Sequence, residues 1–229
     1  MPGRDIPLIN NQIYHVINRG IASQPVFLSR NDYLRATEII SYYQNQNPPL
    51  RYSFFLRLSP ERKAEILNQL GSEKKFLVEI IAYCLMPNHF HFLLKQTKEN
   101  GISLFLSNIT NSYTRYLNTK KERVGPLFQG KFKAIRIETE EQLLHLSRYI
   151  HLNPYSSCLV KNLDDLFNYP YSSLSEYLNP KNLSFCTKDT ILENLKTNSY
   201  KQFVSDQADY QKRLEEIKHL VLEKDKYPR

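Results

Sequence analysis

No run of about 18 apolar residues occurs anywhere in the 229-residue chain, so no membrane-spanning helix is expected. The first residues, MPGRDIPLINNQIYHV, hold no apolar stretch ahead of a small-residue cleavage site. No signal peptide is read there, and a cytoplasmic, nucleoid-associated location is expected, with no membrane partner. Cysteines are few: Cys84, Cys158 and Cys186 lie far apart and are odd in number, and no CxxC pair occurs. These features argue against a disulfide framework and against a cysteine-based structural zinc site. There is no internal repeat and no low-complexity tract.

What is present points toward a polyanion. Lys and Arg number 31 against 23 acidic residues, a formal charge of +8. A basic surface attracts nucleic acid, although the balance alone is a weak signal. Sixteen tyrosines and twelve phenylalanines offer stacking surface, most of it readable as core. With 41% hydrophobic residues, the chain can bury a core as one large domain, or as one domain with a helical annex.

The patterning divides the chain into recognisable elements. Residues 12–19 alternate as a strand, with Ile13, His15 and Ile17 on one face and Tyr14, Val16 and Asn18 on the other. Ser29 caps a helix from Arg30, and QNQNPPL at 44–50 reads as a loop. Ser59-Pro60 opens a second helix that Gly71 is expected to end. FLVEIIAYCLM (76–86) and HFHFLLKQ (89–96) are two strands joined by the MPN turn. A helix over 102–119 follows, then a turn running into a strand within 125–138. Thr139 caps the next helix, which Pro154 is expected to stop at Asn153. The order strand, helix, inserted helix, strand, strand, helix, strand, helix is that of an α+β, ferredoxin-like antiparallel sheet with helices on one face. The expected division is a catalytic core over 1–155, containing an insertion at 45–75, and a mostly helical extension over 156–229. DYQKRLEEIKHLVLEKDK near the end is read as an amphipathic helix.

Two groups of side chains carry candidate chemistry. His89 and His91 are two apart on a strand, so their imidazoles share a face and can chelate one divalent cation. The spacing also fits two ordinary histidines, at the cost of crowding like charge on one face when protonated. Tyr149 and Asn153 are four apart on a helix and share a face. A tyrosine hydroxyl with an ordinary pKa of about 10 is a weak nucleophile, and a metal that polarises a phosphate supplies the missing help. Asn153 can add an oxygen ligand. On spacing alone, a core tyrosine and an asparagine before a proline are the simpler reading. His145, one turn earlier, is read as half-exposed surface, and Tyr113, also on a helix, is a rival nucleophile.

The segments YHVINRG (14–20), YCLMPNHFHFLL (83–94), NSYTRYLN (111–118), GPLFQGKFKA (125–134), RYIHLNP (148–154) and YPYSSLSEY (169–177) together resemble the single-tyrosine HUH transposases. They resemble in particular the REP-associated tyrosine transposases and their insertion-sequence relatives. MPNHFHFLL followed about sixty residues later by YIHLNP is a specific combination. The resemblance implies a ferredoxin-like core, with His89 and His91 as metal ligands, Tyr149 as nucleophile and Asn153 completing the metal site. It implies Mg²⁺ or Mn²⁺ as cofactor, single-stranded or hairpin DNA as partner, and a monomer or a homodimer. The activity implied is cleavage and rejoining of DNA through a 5′-phosphotyrosine. The two histidines must be neutral to ligate, so activity is expected to fall below about pH 6.5. Gln129, Lys131 and Lys133 at period two, together with Arg19, Arg115, Arg123 and Arg148, are candidate DNA contacts, each equally readable as a solvated charge. A non-catalytic or domesticated nucleic-acid binder on the same fold is the alternative, and a metal-dependent hydrolase using water is a third reading.

Overall fold

The computed structural model describes residues 7–179, 185–195 and 199–215. A four-stranded antiparallel sheet runs in the order β2-β3-β1-β4, built from β1 (Ile13–Arg19), β2 (Val78–Met86), β3 (His89–Gln96) and β4 (Lys133–Ile137). Its helices are α1 (Arg30–Tyr43), α2 (Tyr52–Phe55), α3 (Pro60–Glu73), α4 (Gly101–Lys120), α5 (Glu140–Ser156), α6 (Leu163–Phe167), α7 (Leu174–Leu178), α8 (Asp189–Leu192) and α9 (Tyr200–Ser205). The β-α-β-β-α-β succession and this strand order are those of a ferredoxin-like sheet. Two compact units are present: Met1–Ile80 with Pro87–Ile137, and Ile81–Met86 with Glu138–Arg229. No helix among the described residues is long and apolar enough to cross a membrane.

In the first unit, alternation along β1 and β3 sorts side chains onto two faces. Tyr14 and Val16 on β1, with Phe90, Phe92 and Leu94 on β3, are fully buried on one of them. That face receives α4, whose Phe105 meets Phe92 with ring centroids 5.8 Å apart. Helix α1 packs along α4. Tyr113 of α4 donates its hydroxyl to the Val26 carbonyl at 2.8 Å and lies against Phe27, so it is a core strut. Ser29 caps α1 and Ser59 caps α3, each accepting a hydrogen bond from a backbone N–H three residues on, as their sequence positions require.

Three boundaries fall away from the sequence expectation. Helix α3 passes through Gly71 and ends with Lys74 in the left-handed region at φ 45°. The stop is set by tertiary pairing, because the chain must turn there to bring Lys75 and Phe76 against Gln46 and Asn45. Helix α5 contains Pro154 and ends at Ser156. The proline forfeits one backbone bond. The carbonyls of the last turn find donors beyond it, with Ser157 N–H bonding Asn153 and Leu159 and Val160 N–H bonding Pro154. Finally, β4 begins only at Lys133. Phe128 makes an isolated bridge to Gly20, and Gln129 N–H reaches the Arg19 carbonyl at 2.8 Å, so Gln129 and Lys131 lie outside β4. The short helix α2 carries no periodic signal long enough to read from sequence. The C-terminal amphipathic helix is helical up to 215, and its remainder lies outside the described residues.

The second unit wraps helices around the end of β2, every residue of which from Ile81 to Met86 is buried. The YPYSSLSEY segment clamps it. Leu85 N–H bonds the Tyr171 carbonyl at 2.8 Å, and Ser173 N–H bonds Tyr83 at 3.0 Å. The hydroxyls of Tyr169 and Tyr177 donate to the carbonyls of Leu85 and Ile81, both at 2.7 Å. The tyrosines of this motif thus satisfy a buried strand edge.

Two glycines differ in what a methyl group would meet. At Gly101, the first residue of α4, an added Cβ would lie 2.1 Å from the Leu77 carbonyl oxygen. At Gly71, inside α3, nothing lies within 4 Å. Gly101→Ala is expected to lower unfolding stability by about 1–3 kcal/mol through overpacking. Gly71→Ala is expected to raise it by about 0.5–1 kcal/mol. Urea denaturation of the two variants checks the opposite signs.

Candidate active site

The antiparallel pairing of β1 with β3 sets Ile17 against His91, Arg19 against His89 and His15 against Leu93. Directly opposed residues share a face, so His15, Ile17, Arg19, His89, His91 and Leu93 lie together on the side of the sheet away from α4. Lys133 of β4 joins that face opposite Ile17, whereas Arg136 opposes Tyr14 and points the other way. The two histidines thus share a face, as their spacing in the sequence predicts.

The histidine rings are oriented by hydrogen bonds. His89 and His91 stand edge to face, with ring centroids 4.9 Å apart. His89 Nδ1 lies 2.6 Å from Asn88 Oδ1. Asn88 donates its amide Nδ2 to the Ser23 carbonyl at 3.2 Å, which fixes the amide so that its oxygen faces the imidazole. Nδ1 of His89 therefore carries the proton and donates. His91 Nδ1 faces His15 Nε2 at 3.0 Å, with the two ring planes 14° apart. With Nδ1 protonated, Nε2 is the nitrogen His89 would turn to a cation, and His91 would do the same when its Nδ1 donates to His15. The sequence placed His15 on one face of its strand with Ile13 and Ile17 but assigned it no role. Only the strand register reveals it as the partner of His91.

Burial keeps His91 and His15 neutral. It pushes the His91 pKa well below the ordinary imidazole value, aided by the charges of His89, His15 and Arg19. Burial also pushes His15 down to about 4. A neutral imidazole is the ligating form, so for His91 the loss of ligation lies below the pH 6.5 expected from an unperturbed ring. Two adjacent imidazoles with oriented Nδ1 atoms suit a divalent cation. Among the described residues no three His, Cys, Asp or Glu side chains converge on one. A cation held by two imidazoles keeps positions for oxygen donors of other kinds, including phosphate.

Tyr149 and Asn153 belong to the second unit, one turn apart on α5. Asn153 is buried and donates its Nδ2 to the Tyr149 carbonyl at 2.9 Å, while Tyr149 is half-buried. Gln211 Nε2 donates to the same carbonyl at 3.1 Å. His151, between them in sequence, is fully buried. It bonds the Tyr200 hydroxyl and Ser173 Oγ, each at 2.7 Å. Burial lowers its pKa to about 3, and its role is to anchor α5 within the unit. Arg148 lies over the Phe203 ring, 4.3 Å from its centroid, and its guanidinium meets His145. His145 is exposed and lies 3.6 Å from Glu141. Tyr113, the rival tyrosine, has its pKa raised by burial, which disfavours the phenolate a nucleophile needs. Of the remaining candidates, Gln129 and Lys131 are exposed between α4 and β4. Arg123 donates to the Pro126 carbonyl at 3.3 Å in that same connection, and Arg115 lies on an exposed flank of α4.

Residues 50–153 match the family model described as transposase, IS200-like. The match covers a little under half of the chain. The matched span covers β2, β3, α4, β4 and α5 up to Asn153, and so contains both candidate groups. Among solved structures, the fold is similar to that of a REP-associated tyrosine transposase bound to a REP hairpin. That match has a TM-score of 0.54 and 15% identity, covering 81% of this chain and 90% of that chain. A protein from Deinococcus radiodurans R1, itself only provisionally assigned as a transposase, matches at a TM-score of 0.35 and 16% identity, over 66% of this chain and 95% of that one. No curated protein matches the chain.

The depressed pKa values of His15 and His151 carry a stability consequence. Unfolding returns each ring to about 6.5, so between the folded and unfolded values the unfolded chain binds more protons. Stability is therefore full above about pH 6.5 and falls as the pH drops toward 4. Each histidine is expected to cost about 2 kcal/mol by pH 5. Urea midpoints at pH 7 and pH 5 measure the sum, to which buried His91 adds, and His15→Gln should flatten the slope by about a third. An unchanged slope in that variant contradicts the assignment of His15 as a buried neutral ring.

Proposed function

We propose that this chain is a transposase that cleaves and rejoins single-stranded or hairpin DNA, with Tyr149 as nucleophile and with His89, His91 and Asn153 holding Mg²⁺ or Mn²⁺. The single observation that carries the reading is the pair of adjacent histidines on β3, each with Nδ1 committed to a protein partner. Such a pair is poised to ligate through Nε2. The match of residues 50–153 to a transposase family model supports the DNA substrate. The REP hairpin bound by a structural relative supports the hairpin form.

The reaction is a transesterification. The Tyr149 phenol loses its proton and its oxygen attacks phosphorus. The bond from phosphorus to the 3′ oxygen breaks, and that oxygen leaves as a 3′-hydroxyl after gaining a proton. The product is a 5′-phosphotyrosine, and attack by a 3′-hydroxyl reverses the step on the same or another strand. The covalent link conserves the phosphodiester energy, so no external energy source is consumed. A bound divalent cation would supply charge stabilisation at the phosphate oxygens. Asn153 contributes an amide oxygen, and its Nδ2 bond to Tyr149 ties its side chain to the nucleophile's own backbone. Arg19 and Lys133, which share the histidine face, are assigned to phosphates near the cleaved bond. Arg123, Gln129, Lys131 and Arg148 are assigned to more distant backbone contacts. A monomer and a homodimer are both compatible with this chemistry.

The test is a denaturing gel of the full chain incubated with Mn²⁺ and a panel of labelled hairpin oligonucleotides with single-stranded flanks. The unaltered chain and Tyr113→Phe should form a covalent adduct. Tyr149→Phe should form none, and His89→Ala or His91→Ala should lower adduct formation by at least about a hundredfold. Adduct formation by Tyr149→Phe, or cleavage that releases both ends unlinked, would overturn the assignment.

A further inference from the structure

The insertion between α1 and β2 has no role in the chemistry above, yet it walls a groove of about 1100 Å³ within the first unit. Helix α1 forms one side, residues 46–57 a second, and one flank of α4 the third. The groove lies on the helical side of the sheet, whereas the histidines occupy the opposite face. Its α4 lining, Asn108, Asn111, Ser112, Arg115 and Thr119, follows helical spacing and avoids the stripe that packs on the sheet.

The charge of this groove is of one sign. Arg35, Arg51, Arg57, Arg115 and Lys120 line it, and no acidic residue does. Two of the five cations are matched from behind. Lys120 Nζ lies 2.6 Å from Asp32, and Arg35 lies 3.9 Å from Glu38. Among the described residues Arg51, Arg57 and Arg115 have no acidic partner. Three arginines around one concavity repel each other unless an anion joins them. The uncharged lining is equally particular. Asn47, Asn108 and Asn111 offer amides, and Tyr116 and Tyr52 form a shelf with the Arg35 guanidinium 5.0 and 5.6 Å from their ring centroids. Phe54 on α2 is half exposed beside it. Cations that track a backbone, with amides and aromatic faces between them, are what single-stranded nucleic acid requires.

We infer that this groove holds a single-stranded DNA segment flanking the cleaved phosphate, with Arg51, Arg57 and Arg115 on its phosphates. The assignment rests on the reading of the chain as a DNA-processing transposase. It gives the insertion a function: the substrate strand is held on both sides of the sheet, so the footprint extends well beyond the reacting phosphodiester. It also separates Arg115 from Arg19 and Lys133, which serve the histidine face.

The test is equilibrium binding of the full chain to a hairpin carrying a single-stranded tail and to the same hairpin with a blunt end, across a salt series. Arg51→Gln/Arg57→Gln should weaken binding to the tailed hairpin about tenfold or more. It should also make the slope of log affinity against log salt shallower by about 1–1.5, and leave blunt-hairpin binding unchanged. Equal affinity and parallel slopes on the tailed hairpin overturn the proposal, as does absence of any binding by the unaltered chain. Photocrosslinking of the unaltered chain to a tail substituted with 5-iodouracil avoids any question of folding. Crosslinks within 43–57 or 108–120 support the groove, and crosslinks confined elsewhere refute it. Neither readout needs covalent chemistry. A chain that forms no adduct yet shows the salt and crosslinking results would sink the strand-transfer reading and leave the groove standing.

Discussion

The antiparallel pairing of β1 with β3 decides which side chains share the histidine face. A slip of one residue would move every β1 side chain to the other side, putting Tyr14 and Val16 beside the histidines and His15 into the apolar face. That alternative is heavily disfavoured, because Tyr14, Val16, Phe90 and Phe92 together form the buried layer beneath α4. The core therefore fixes the register, and the register puts His15 within hydrogen-bonding distance of His91. The turn before β3 does the same for His89, since Asn88 is held by the Ser23 carbonyl and presents its oxygen to the ring. Ring orientation is thus an outcome of packing and turn geometry.

In the second unit the constraint is a buried polar cluster. His151 bonds Tyr200 and Ser173, while Ser173 also accepts from Tyr83 N–H and Tyr200 donates to Ser147. Buried polar groups are tolerated only when satisfied, so this cluster holds α5 in one rotational setting. Tyr149 and Asn153 flank His151 and inherit that setting. The YIHLNP segment therefore combines an anchor that faces the core with two residues whose chemistry is proposed above. Helix α5 can pass through Pro154 because the lost bond is small beside the burial of Ile150, Leu152 and Tyr155.

Much of this was legible from local sequence. Alternation exposed β1 and β3 and placed His89 and His91 on one face. Ser29, Ser59 and Thr139 marked helix starts because an N-cap is a contact within three residues. The failures share a cause, which is that the deciding contact is distant in sequence. Gly71 and Pro154 look like stops locally, but tertiary pairing and burial set the actual ends. The β4 strand starts late because Phe128 and Gln129 are taken by Gly20 and Arg19. His15 and the basic groove needed the register and the packing of α1 against α4, which no period in the sequence encodes. Tyr149 drew its proposed role from resemblance, since spacing alone fits a core tyrosine equally well.

The central claim is that the fold presets His89 and His91 to ligate through Nε2. Long-range ¹⁵N–¹H correlation spectra of the full chain at pH 7 report the tautomer of each ring directly. The account predicts protons on Nδ1 of both histidines, with Nε2 resonances that shift or broaden on addition of Mg²⁺ or Mn²⁺ while the Nδ1 protons stay in place. A proton on Nε2 of either ring, or Nε2 resonances indifferent to the cation, would contradict it.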